Sequence, residues 1–154
     1  MKVSQLLSPK RIKIGLVNDD KSAIIRELIE LLQNDGLLSD ADKAFEDVME
    51  RELQQSTGLE KGLAIPHGKS LAVQTLAGAL AVCEEGKDFM SLDGELSHIF
   101  FLMIAAPQEA GQHVRALANI ATLTRNPLVR HKLMKAHTPE EAYQIILDEE
   151  SGVL

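Results

Sequence analysis

The chain has 154 residues, enough for one domain whose core buries roughly 70% of the extended chain's surface without disulfide or metal staples. Apolar residues make up 45% and charged residues 25%, a mixture that excludes extensive disorder. Sixteen basic side chains against 23 acidic ones leave a net charge of −7, and aromatics reach only 3%. That balance argues against nucleic-acid binding and leaves little for stacking on bases or sugars.

One cysteine, Cys83, excludes an internal disulfide and any site built from several thiolates. Inside its apolar run it reads as a buried, inert thiol. Pro9 and Lys10-Arg11 interrupt the N-terminus before any export-type apolar stretch. The longest apolar run, Ile99 to Pro107, is too short to span a membrane. The expectation is a cytoplasmic protein without membrane insertion.

Arg11 to Val17 alternates, with Ile12, Ile14 and Leu16 on one side and Arg11 and Lys13 on the other, the period of a half-buried strand. Asn18-Asp19-Asp20 then supplies caps for a helix whose inner positions are Ile24, Ile25, Leu28, Ile29 and Leu32, with Gly36 as its stop. Ser39 is expected to open a second helix with Phe45, Val48, Met49 and Leu53 inward. Gly62 to Pro66 reads as a short extended segment. Thr75 to Cys83 and His98 to Ala106 are apolar on both faces, as interior strands are. Two or three helices follow: Glu109 to Thr124, then one opened by Asn126-Pro127, then one opened by Thr138-Pro139-Glu140-Glu141. Each of the last two pairs a capping residue with proline at the first helical position. Glu141 is placed to complete a capping box with Thr138. The pattern predicts an α/β fold: a single layered domain over 1–154, with a mixed β-sheet covered by helices.

Chemistry concentrates in Gly62-Leu63-Ala64-Ile65-Pro66-His67-Gly68. Pro66 keeps Ile65 extended and restricts how His67 is aimed, while Gly68 carries no Cβ and leaves room for a close approach. A neutral imidazole at a strand tip suits nucleophilic work near pH 7. On spacing alone, a structural histidine at a strand end is the plainer reading. By the same measure Arg51 reads as a solvated helix residue, Thr57 as a turn former beside Ser56 and Gly58, and His113 as a surface histidine. His98 reads as structural. His131 and His137 share a basic stretch with Arg130, Lys132 and Lys135, and no short-range histidine pair has metal-ligand spacing.

Taken together, Arg51-Glu52, Ser56-Thr57-Gly58 and Gly62 to Gly68, with His113 and the Thr138-Pro139-Glu140-Glu141 start, resemble the enzyme IIA family of the bacterial sugar phosphotransferase system. The likeness is to its fructose/mannitol type, which includes the nitrogen-regulatory IIA proteins, and it covers nearly the whole chain. It implies the IIA fold and a phosphoryl carrier. His67 would take a phosphoryl group from a histidine phosphocarrier protein and pass it to a IIB component, or hold it as a regulatory mark. It also implies that Arg51, Thr57 and His113 serve the transfer. Arg51 offers a planar charged fork for phosphate oxygens, Thr57 a hydroxyl, and His113 a ring near a helix start that favours anions. Exchange between two histidines requires no metal or other cofactor. Glu60 stands where many relatives have a small residue. An apolar docking ring around His67 is expected from Leu59, Leu71 and Leu63 (unless Leu63 turns inward), with Glu60 adding a negative rim charge. Three roles stay open at this point: sugar-transport carrier, phosphorylation-dependent regulatory switch, and a binding module that has lost transfer.

Overall fold

The computed structural model describes residues 2–152. Its five strands form one mixed sheet in the order β1 (Ile12–Ile14), β4 (Ala77–Lys87), β5 (Ser97–Ala105) and β2 (Leu63–Ala64), and β3 (His67–Lys69) follows β2 along the same edge of β5. Strands β4 and β5 are antiparallel, β1 runs parallel to β4, and both β2 and β3 run parallel to β5. Helices α2 (Lys21–Asn34) and α3 (Ala41–Gln54) cover one face of this sheet. The other carries α1 (Val3–Leu6), α4 (Ala110–Thr124), α5 (Pro127–Met134) and α6 (Pro139–Ser151).

Two cores result, and the central strands feed both by simple alternation. Leu80, Val82, Phe101 and Met103 enter the core beneath α4 and α6, whereas Ala79, Ala81, Phe100 and Leu102 enter the one beneath α2 and α3. This is why both strands are apolar at every position. The expected layered α/β domain is the one observed.

Several boundaries differ from the sequence reading, each for a local reason. Strand β1 is short because Pro9–Arg11 forms a 3-10 turn and Gly15, at φ 84°, bends the chain away. Arg11 leaves the strand pattern to reach the Asp35 carboxylate at 2.6 Å and the carbonyls of Leu6 and Gly78. Helix α3 is capped by Asp40, whose carboxylate accepts from the Lys43 amide, and Ser39 instead donates its hydroxyl to the Ala72 carbonyl. The buried stripe of α3 is Ala44, Val48 and Glu52, so Leu53 faces outward at 81% exposure. Strand β4 continues past Cys83 to Lys87 through an irregularity after Val82. Helix α4 begins at Ala110, behind a 3-10 turn over Pro107–Glu109. In α6, Thr138 caps the Glu141 amide as expected, but the Glu141 carboxylate accepts from the His137 amide rather than closing a box on Thr138.

Candidate functional site

His67 begins β3 opposite Met103, at the point where the edge of the sheet passes from β2 to β3. The approach to it is pinned on both sides. The Ile65 amide donates to the Thr57 carbonyl at 3.0 Å, and the Pro66 carbonyl accepts from the Met103 amide at 3.1 Å. The ring nitrogen Nδ1 of His67 lies 2.7 Å from the Ile65 carbonyl oxygen. A carbonyl only accepts, so Nδ1 carries the proton and Nε2 keeps its lone pair. Burial pushes the His67 imidazole below its ordinary value of 6.5, and the Arg51 charge adds to this against the pull of the Ile65 carbonyl and Glu52. The ring is therefore a neutral imidazole at pH 7, of defined tautomer, with a lone pair on Nε2.

Gly68 does something other than admit a partner. A Cβ there would meet the Asp47 carbonyl oxygen and the Val48 Cα of α3, both at 3.3 Å. The missing side chain is what lets α3 lie against β3, which brings Asp47 and Arg51 to His67. Gly68→Ala is accordingly expected to cost about 1–3 kcal/mol in urea unfolding, because α3 must move outward. Wild-type stability in that variant would mean the contact yields freely.

Asp47, Arg51, His67, Gly68, Lys69 and His113 line one cavity of about 280 Å³. One guanidinium nitrogen of Arg51 donates to the Gln55 carbonyl at 3.0 Å, which fixes the fork at the end of α3. Asp47 is engaged by Lys43 at 2.9 Å. The ring of His113 meets that of His67 edge-on, at 5.2 Å between centroids and 83° between planes. His113 is buried, and its Nε2 has no hydrogen-bond partner among the described residues. Burial, with the His67 ring and the Lys69 charge, pushes its pKa down to about 4. An unsatisfied buried ring nitrogen beside the His67 ring is a position that a hydrogen-bonding group entering the cavity would satisfy.

The structure thus brings together three of the four residues expected from sequence. Thr57 sits behind the cavity instead. It is buried, and its hydroxyl donates to Glu52 at 2.6 Å, so its single proton is not available to a group on His67. Glu52 itself, buried, also accepts from the Thr57 amide at 2.9 Å and pairs with Lys21 at 2.8 Å. Sequence reasoning gave no role to Glu52, Asp47 or Lys69. The signal for Glu52 was its place four residues after Val48 on the buried stripe of α3. Lys69 offered none beyond adjacency to the Pro66-His67-Gly68 motif.

The expected docking ring needs a larger correction. Leu63 is buried in the core beneath α4, Leu59, Glu60 and Leu63 line a different cavity, and Leu71, at 80% exposure, lines a third. The short turn after Gly58 carries those residues away from His67, so Glu60 is not part of its rim. His98 is structural, its Nδ1–H shared between the carbonyls of Cys83 and Glu84. His131 and His137 are exposed, and Cys83 is buried with its thiol pushed up by that burial.

The depressed His113 value has a consequence for stability. Unfolded, the ring titrates near 6.5; folded, it stays neutral until about pH 4. Between those values the unfolded chain binds a proton that the folded chain refuses, so stability is full above 6.5 and falls with pH toward 4. The total loss is on the order of 3 kcal/mol. Urea midpoints at pH 7.5 and 4.5 should differ less in His113→Phe than in wild type. Equal differences would show that other groups carry the acid sensitivity.

The family model described as "Phosphoenolpyruvate-dependent sugar phosphotransferase system, EIIA 2" matches residues 5–149. The chain belongs to this EIIA family. Among curated relatives, a fructose-specific EIIABC component of Bacillus subtilis is 33% identical over 95% of this chain, which spans only 23% of that protein's length. A nitrogen regulatory protein of Pseudomonas aeruginosa is 28% identical over 99% of both chains. Among solved structures, the nitrogen regulatory protein IIA-Ntr of Neisseria meningitidis superposes with a TM-score of 0.85 at 27% identity, covering 94% of this chain and 98% of the other. Among the described residues of this EIIA chain, no helix is long and apolar enough to cross a membrane.

Proposed function

We propose that this EIIA chain, with 1–154 as one domain, is a cytoplasmic phosphoryl carrier. His67 accepts a phosphoryl group from the phosphohistidine of a histidine phosphocarrier protein and passes it to a IIB component of fructose/mannitol-type sugar uptake. The observation that carries this reading is the Nδ1–H bond from His67 to the Ile65 carbonyl, which leaves Nε2 as the only free nucleophilic atom of the ring. The Nε2 lone pair attacks phosphorus in line, the donor's P–N bond breaks, and its electron pair returns to the donor imidazole. Arg51 and Lys69 supply positive charge to the equatorial oxygens, and the free Nε2 of His113 supplies a hydrogen bond. Thr57 acts as a positioning residue, through its carbonyl on Ile65.

Arg51→Ala and His113→Ala should each slow transfer by roughly 10- to 1,000-fold without becoming phosphorylation sites themselves. Rapid-quench transfer from the phosphorylated carrier measures this, and unchanged rates in both would overturn the assignment. A second reading, a nitrogen-type regulatory switch without sugar transport, is favoured by the match to the Pseudomonas nitrogen regulatory protein over 99% of both chains. Loss of fructose uptake on deleting the gene supports the sugar carrier. Intact uptake with a phosphorylation-dependent partner supports the switch.

A further inference from the structure

A second cavity, of about 370 Å³, lies at the opposite end of α4 from His113, roughly 16 Å away along the helix axis. It is within the size range of small-molecule sites. In a chain of net charge −7 its lining is locally positive: Lys61, Arg125 and Arg130 against Glu60 alone. None of these three cations forms an ion pair among the described residues. Arg130 is pre-set. One of its terminal nitrogens donates to the carbonyls of Thr124 and Arg125, at 2.7 and 2.9 Å, so the guanidinium is held against the end of α4 while its other N–H groups have no hydrogen-bond partner among the described residues. Lys61 and Gly62 form a tight turn with both residues at positive φ, 61° and 79°, closed by the Leu63 amide on the Glu60 carbonyl. A lysine is a costly choice at a position that glycine or asparagine fills without strain, and Lys61 lines this cavity. Leu59, Leu63 and Leu92 supply apolar wall.

We propose that this cavity binds a small organic anion: an oxyanion head held by Lys61, Arg125 and Arg130, with a short apolar body against the leucines. The site is separate from phosphoryl transfer at His67 and does not depend on it. Phosphate esters and carboxylates share this chemistry, so the test uses phenyl phosphate, benzoate and inorganic phosphate as probes. Each is titrated into the 15N-labelled full chain, and amide shifts are followed at Lys61, Gly62, Leu92 and Arg125. Saturating shifts are expected there with phenyl phosphate or benzoate, and whichever binds tighter assigns the head group. His67→Ala should leave those shifts intact. Lys61→Gln with Arg125→Gln, two exposed positions, should weaken binding at least about tenfold while preserving any phosphate response at His67 to Lys69. Absence of saturating shifts in this cavity would overturn the proposal. Unchanged affinity in the double variant would also overturn it, as would inorganic phosphate binding as tightly as phenyl phosphate.

Discussion

His67→Ala is expected to abolish phosphoryl uptake outright. Incubated with phosphoenolpyruvate, enzyme I and a histidine phosphocarrier protein, the wild-type chain should gain one acid-labile phosphoryl group and the variant none. The bond should form at Nε2. Phosphorylation at Nδ1 would first have to break the 2.7 Å hydrogen bond to Ile65 and turn the ring against Pro66-fixed backbone. Phosphorus–nitrogen coupling on 15N-histidine chain distinguishes the two. Labelling of the variant would displace the nucleophile to another residue, and an Nδ1 adduct would overturn the tautomer argument while leaving His67 in place. The reaction should also keep its rate through pH 6.5 and slow only at more acidic pH, because burial holds the His67 imidazole below its ordinary value and protonation then removes the Nε2 lone pair.

The fold was legible because its signals are local. Asp20, Asn126 and Thr138 each cap the helix they precede, and the unbroken apolar runs of β4 and β5 announce strands covered on both faces. The family motif brought Arg51, His67 and His113 to one cavity across a long stretch of chain, which periodicity alone does not do. What escaped depends on direction rather than type. Gly68 looked open and is filled by α3; Thr57 looked free and is committed to Glu52; Leu59 and Glu60 looked adjacent to His67 and turn away through the Lys61-Gly62 bend. Each is a question of which side of a short segment faces which neighbour. Sequence distance from the motif carries no such information.

Glu52→Ala should be the most destabilising single change around the site. Its carboxylate holds the Thr57 amide at 2.9 Å, the Thr57 hydroxyl at 2.6 Å and the Lys21 ammonium at 2.8 Å, all largely out of water. Removing it leaves a buried amide and hydroxyl without partners and a cation without its counter-charge, which together cost about 3–5 kcal/mol. For a chain of this size that lowers Tm by on the order of 10 °C. Glu52→Gln should lose much less. Its amide oxygen still accepts from the Thr57 amide and its NH2 can donate to the Thr57 hydroxyl, while Lys21 keeps the Ser56 hydroxyl at 2.9 Å. Thermal unfolding of both variants, beside transfer rates at a temperature where both are folded, separates the structural role from the positioning one. The path from carboxylate to the His67 ring is short: Glu52 fixes Thr57, the Thr57 carbonyl fixes the Ile65 amide, and the Ile65 carbonyl fixes the His67 proton. If that chain of bonds sets the ring, Glu52→Ala slows transfer more than its folded fraction explains, and Glu52→Gln largely restores it. A rate that simply follows the folded fraction would reduce Glu52 to a support of the loop, with His67 held by Pro66 and β5 alone.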